Sequence, residues 1–160
     1  TALALDWLHE TSSQAIPAQV LEFTGGAPLR ALEVHEAFAR LDEEMRSSLA
    51  DVLAGRADVT RVAQFWAKEA LPDRLAWLDL WLMSLARQAI AGTLDLVTFP
   101  GQPVPLPTNA NVLNISHLYR LADRIRELKS QLQRTALNRD LAAELLLAEL
   151  LTVFTRRQPQ

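Results

Sequence analysis

The chain has 160 residues, room for one ordinary domain or for a small module plus part of another, and 49% of them are hydrophobic, enough to bury a core. It contains no cysteine, which excludes a disulfide framework and any thiolate zinc site; no apolar run reaches membrane-spanning length, and the basic-then-apolar order of a signal peptide is missing. The expected class is therefore a soluble, cytoplasmic protein. Net charge is −3 but uneven: residues 1–60 hold ten acids against four bases, residues 61–114 four of each, and residues 115–160 five acids against eight bases.

Leucine and alanine dominate, only five glycines occur and β-branched alternation is nearly absent, which predicts an all-α helical bundle. The first segment, Ala2 to His9, is apolar with Leu3, Trp7 and Leu8 on one side, and a polar break follows from Glu10 to Gln14. Pro17 suits the first turn of a helix over Ala18–Thr24, which Gly25 and Gly26 end, and Pro28 starts the next. That helix carries Leu32, Phe38, Leu41, Met45, Leu49 and Val52 and stops at Gly55. Its smooth period means that a boundary between about Val34 and Arg40 would be a continuous helix or a tight joint, not a flexible linker.

Asp58 or Thr60 caps a further helix with Val59, Val62, Phe65 and Trp66 as its expected buried side. The helix from Pro72 to Ala91 has a leucine stripe (Leu75, Leu78, Leu82, Leu85) and a second stripe of Trp77 and Trp81, an arc wider than one neighbour can cover, so this helix is expected at the centre. After Gly92, the stretch Thr93–Asn114 contains Pro100, Pro103, Pro105 and Pro107 without helical period and reads as a structureless surface excursion. Asn114 or Ser116 caps a helix to about Arg134 with a heptad seam of Leu118, Leu121, Ile125, Leu128 and Leu132, expected to pack on the helices before and after it.

The last helix, Asn138 to Phe154, opens on an asparagine cap and is apolar on nearly every side. Glu149 lies nearly opposite Asp140 and Glu144, so two polar strips separate two apolar faces. One face must bury in the chain's own core; the other needs more of that core or a neighbouring subunit.

Motifs of chemistry are missing. No GxxxxGK[ST] or GxGxxG occurs, and His9, His35 and His117 stand at no ligand spacing, His9-Glu10 being followed by Ser13 where a second zinc ligand would belong. Ser47, Ser48 and Ser116 sit in no nucleophile elbow, and Asp42, Glu43 and Glu44 read as a solvated helix face. No catalytic, cofactor-binding or metal-binding residue is assigned, and no cofactor or small-molecule substrate is expected.

Three segments in order, ALDWLHE with LEFTGGAPLRALEV, RLAWLDLWLMSLAR, and LNRDLAAELLLAELL, together resemble the C-terminal half of the delta-prime subunit of the bacterial DNA polymerase III clamp loader. The resemblance implies the end of a helical lid module over residues 1–34 and a helical collar, or oligomerisation, domain over residues 35–160. It also implies a preceding ATPase-like module before Thr1, so the chain is expected to be a fragment. In the family the collars of five subunits join into a ring, and delta-prime contacts the delta and gamma/tau subunits; DNA would be met only through the assembled complex. The prolines of Thr93–Asn114 depart from the short helix that several members place there.

Trp77, Trp81, Leu141, Leu145 and Leu147 are the residues expected to serve packing and subunit assembly. Alanine at Trp81 separates the two roles: weakened association with unchanged melting marks an interface, whereas collapse of the melting temperature marks core. Another class of reading is a stand-alone helical adaptor or nucleic-acid-binding bundle using Arg120, Arg124, Arg126 and Arg134; a third is the collar of a gamma/tau-type subunit.

Overall fold

The computed structural model describes residues 3, 6, 7, 16–92, 98–99, 102–103 and 114–155. Six helices follow one another, α1 (Ala18–Phe23), α2 (Pro28–Leu53), α3 (Val59–Lys68), α4 (Leu71–Ala91), α5 (Ile115–Arg134) and α6 (Arg139–Thr155), so the fold is an all-α bundle. The chain divides into two compact units, residues 1–44 and 45–160, and the division falls inside α2. Of the first segment, Ala2 to His9, only Leu3, Asp6 and Trp7 lie among the described residues; they are helical and exposed.

The first unit holds α1 and the first part of α2. α1 ends in a Schellman turn: the Gly26 amide donates to Leu21 O at 2.8 Å and the Gly25 amide to Glu22 O at 3.0 Å. This requires the left-handed φ of +69° at Gly25, which glycine adopts without steric cost. Phe23 and Phe38 meet with ring centroids 5.0 Å apart, over a small core of Ile16, Val20, Leu21 and Ala31.

The second unit begins with the end of α2, where Met45, Leu49 and Val52 are buried. Asp58 caps α3, accepting from the Arg61 amide at 3.3 Å, and Asn114 caps α5, accepting from the Ser116 amide at 3.0 Å. In α3 the buried stripe is Ala63, Trp66 and Ala67, and the Trp66 indole N–H donates to Ser48 Oγ at 3.2 Å. Phe65, expected inside, is exposed; its ring instead takes the Arg74 guanidinium on one face at 4.6 Å from the centroid. Arg74 is itself only 1% exposed, and its Nε donates to Glu69 O at 3.0 Å.

Pro72 does not push Leu71 out of the helix. The chain turns one residue earlier, at Ala70, which takes a left-handed conformation (φ 50°, ψ 35°), and α4 then starts at Leu71 with proline in its first turn. Both stripes of α4 are buried: Leu75, Leu78, Leu82 and Leu85 on one side, Trp77 and Trp81 on the other. The two indoles stack at 6.1 Å and 19°, and Trp81 meets Phe154 of α6 at 5.8 Å.

α4 packs chiefly on α5, and α3 chiefly on α6. Within 93–113, Thr98–Phe99 and Gln102–Pro103 form a two-residue antiparallel ladder, with Thr98 opposite Pro103. This pairing is absent from the purely structureless reading of the proline stretch. Pro100-Gly101 between the two pairs is a turn signal, and a two-residue strand is too short to show alternation. The remainder of the proline stretch and the tail beyond Thr155 lie outside the described residues.

Candidate subunit interface

Asn138 opens α6 as its residue type demands: its side-chain oxygen accepts from the Leu141 amide at 3.2 Å and its carbonyl from the Ala142 amide at 3.0 Å. Asp140 occupies the first turn, where the positive helix end favours an acid. Glu144 is tied to α3, accepting from Thr60 Oγ1 at 2.9 Å. These anchors fix the rotation of α6 and decide which of its apolar faces turns inward. Ala143, Leu146, Leu147, Leu150 and Phe154 are buried; Leu141 and Leu145, one turn apart on the other face, are 53% and 54% exposed.

The five residues expected to serve assembly therefore separate. Trp77, Trp81 and Leu147 are each 0% exposed and belong to the core of the second unit, so the role of a surface contact does not fit them. The expectation grouped them with Leu141 and Leu145 because all are apolar beyond the need of one neighbour; other helices of the same chain meet that need. Leu141 and Leu145 remain at the surface.

They stand beside an opening. α5 leans on α4 and α6 on α3, so the two helices touch each other less than they touch those neighbours. Between the last half of α5 and the first half of α6 lies a groove of about 290 Å³. Leu128, Leu137, Leu141 and Leu145 line it, with Arg124 and Glu127 among its polar residues. The heptad seam changes character at this point: Leu118, Leu121 and Ile125 are buried, whereas Leu128 and Leu132 are only half-buried. Arg124 Nε stands 3.8 Å from Glu149 Oε2, a loose pair with both side chains well exposed, and Glu127 accepts from Gln131 Nε2 at 3.2 Å.

The four arginines considered for nucleic acid do not form one patch. Along α5, Arg120 and Arg124 share a side, Arg126 points away from both, and Arg134 lies between the two directions. Arg126 is held by Asp79 of α4, Nε to Oδ2 at 3.1 Å and Nη2 to Oδ1 at 3.0 Å, and by Asp123 at 3.1 Å. The first contact is an aligned hydrogen bond and the second a charge contact. The hydrogen bond to Asp79 holds the Arg126 proton more tightly than in an ordinary arginine; desolvation, the next largest effect, opposes it, and the charges of Asp79 and Asp123 add to it.

Among the described residues no three His, Asp or Glu side chains gather as a metal site would require. His35 Nδ1 lies 3.0 Å from its own helix at Leu32 O, and Ser48 Oγ donates to Met45 O at 3.1 Å while accepting from Trp66, roles that hold structure together. No described helix is long and apolar enough to cross a membrane. A trough with aliphatic walls and rim charges, without convergent acid, base or nucleophile, is equipped to hold side chains of another chain.

A family model described as DNA polymerase III, delta subunit, C terminal, matches residues 40–156. No curated protein and no solved structure matches the chain. The matched stretch takes in α3 to α6 whole, with the buried tryptophans, the groove and the exposed leucine pair, and it covers more than half of the sequence. On that extent of agreement the chain belongs to the family of the C-terminal region of the DNA polymerase III delta subunit, a component of the clamp loader.

Proposed function

We propose that residues 35–160 are the collar of a bacterial clamp-loader subunit of the delta-prime type, a non-catalytic element that holds the loader ring together during sliding-clamp loading. Residues 1–34 are the end of its lid module. Its partners are the delta and gamma/tau subunits, and it meets DNA only through the assembled complex. The family match supports a clamp-loader role, and its start at residue 40 agrees with a collar that begins near there.

The observation that carries the reading is the pair Leu141 and Leu145, half exposed beside an open groove although α6 has already given a full apolar face to the core. Subunit interfaces are built from such apolar cores within polar rims. Trp77, Trp81 and Leu147 serve assembly only indirectly, by fixing the helices that form the groove. The commitment of Arg126 to Asp79 and Asp123 weighs against a direct nucleic-acid surface on α5.

Size-exclusion chromatography with light scattering tests this, with the chain mixed with purified delta and gamma/tau subunits. Co-elution with both is expected. Because the family is named for delta, delta itself is the nearest competitor of the delta-prime reading. A chain that displaces purified delta from a preassembled loader takes delta's own place and refutes delta-prime. Separate elution of a well-folded chain refutes the assembly role.

A further inference from the structure

Resting on the assembly reading, we infer that the groove between α5 and α6 receives an amphipathic helix from a neighbouring clamp-loader chain, one with aliphatic residues at positions i and i+4, an acid facing Arg124 and a base facing Glu127. Three observations specify this occupant.

The first is the seam of α5. Its apolar positions repeat at 3, 4, 3, 4 from Leu118 to Leu132, and cover by the chain's own helices is complete only as far as Ile125. A repeat of this kind is the imprint of helix-against-helix packing, in which each leucine inserts between residues of a facing helix. Leu128 carries the repeat into the groove lining, and Leu132, half-buried, continues it one turn further along α5, so the fitting occupant is a helix and not an extended peptide.

The second is the opposite wall. Leu141 and Leu145 stand four residues apart, about 6 Å along α6, which matches aliphatic anchors at the same spacing on an incoming helix.

The third is charge. Arg124 and Glu127 lie one turn apart on α5; the acid nearest Arg124 is the loose contact with Glu149 at 3.8 Å, and Glu127 is hydrogen-bonded to the neutral Gln131. Both can turn to an incoming partner at little cost, and their opposite signs fix its direction. Such rim charges set orientation and encounter rate more than strength. A second copy of the chain fits less well: its exposed leucine pair is itself a groove wall, so in a self-pair the same two residues would have to serve as wall and anchor at once.

The test compares the wild-type chain with Leu141→Glu, Leu145→Glu and Arg124→Glu in binding to purified gamma/tau and delta subunits by sedimentation velocity. Thr152→Glu, an exposed site on α6 outside the groove lining, serves as control. Either leucine change is expected to weaken the complex at least about tenfold, as central interface residues do, with Arg124→Glu weakening it less and flattening its salt dependence. The control should bind as wild type.

Should a glutamate variant melt early, Leu145→Ala, which only trims an exposed side chain, decides in its place. A wild-type complex that the groove variants leave intact overturns the groove as the site while the assembly reading stands. If the wild type forms no complex, both fall together. A concentration-dependent dimer of the chain alone that Leu145→Glu abolishes overturns the inference in favour of a second copy.

Discussion

Leu145 and Leu147 lie two residues apart on one helix with the same side chain, and the structure gives them opposite environments, 54% and 0% exposed. Leu147→Ala removes about three carbons at about 0.8 kcal/mol each and leaves a cavity that neighbours fill only in part, so a loss of about 3 kcal/mol is expected. Leu145→Ala removes the same carbons from a site already half in water, where no closed cavity can form; the loss is about 1 kcal/mol at most. Urea unfolding followed by tryptophan fluorescence reads both. With a slope of about 2 kcal/mol per molar, the Leu147 variant should shift its midpoint down by about 1.5 M and the Leu145 variant by under about 0.5 M, with the slope unchanged. Equal shifts, or a Leu147 shift as small as that predicted for Leu145, would refute the rotation of α6 on which the exposed leucine pair depends.

Trp81→Ala should cost about 4 kcal/mol, because it removes a fully buried indole stacked on Trp77 and touching Phe154, and thermal melting should collapse whether or not a partner is present. Asn138→Ala should cost about 1 kcal/mol through loss of the α6 cap, seen in chemical denaturation, with Asn138→Ser restoring most of it. Ala70→Gly should stabilise by about 0.5 kcal/mol, since relief of the left-handed strain exceeds the entropy that glycine gains in the unfolded chain; a loss measured by urea titration would mean that Ala70 is not left-handed. The raised Arg126 proton affinity contributes stability that is fully present below arginine's unfolded pKa and is lost only as pH rises through the higher folded value. Denaturation midpoints between about pH 6 and pH 9 should therefore be the same in the wild type and in Arg126→Lys, apart from a constant offset.

Helix positions were legible in the sequence because they depend on local chemistry. Asp58, Asn114 and Asn138 cap through bonds to amides two or three residues away, and Gly25 and Gly92 stop helices through a backbone conformation that glycine adopts freely. α4 starts one residue earlier than Pro72 because proline is tolerated within a first turn, where its missing N–H has no helical partner to lose, and the chain turns into the helix at Ala70. Part of the candidate site was legible too. At 100° per residue Leu141 and Leu145 lie within 40° of each other, while Leu147 falls on the far side, a separation that helix geometry carries although the expectation grouped the three.

By itself, the sequence determined an all-α chain, its caps and stops, a central α4, and a terminal helix with two apolar faces. Tertiary structure decided that the lesser apolar face of α6, with Leu141 and Leu145, stays at the surface, because the richer face of Leu146, Leu147, Leu150 and Phe154 is taken up by α3 and Trp81 and no helix among the described residues covers the other. It also decided that the α5 seam stops being fully covered after Ile125, because where two helices part depends on the neighbours each leans against, and no local pattern records that.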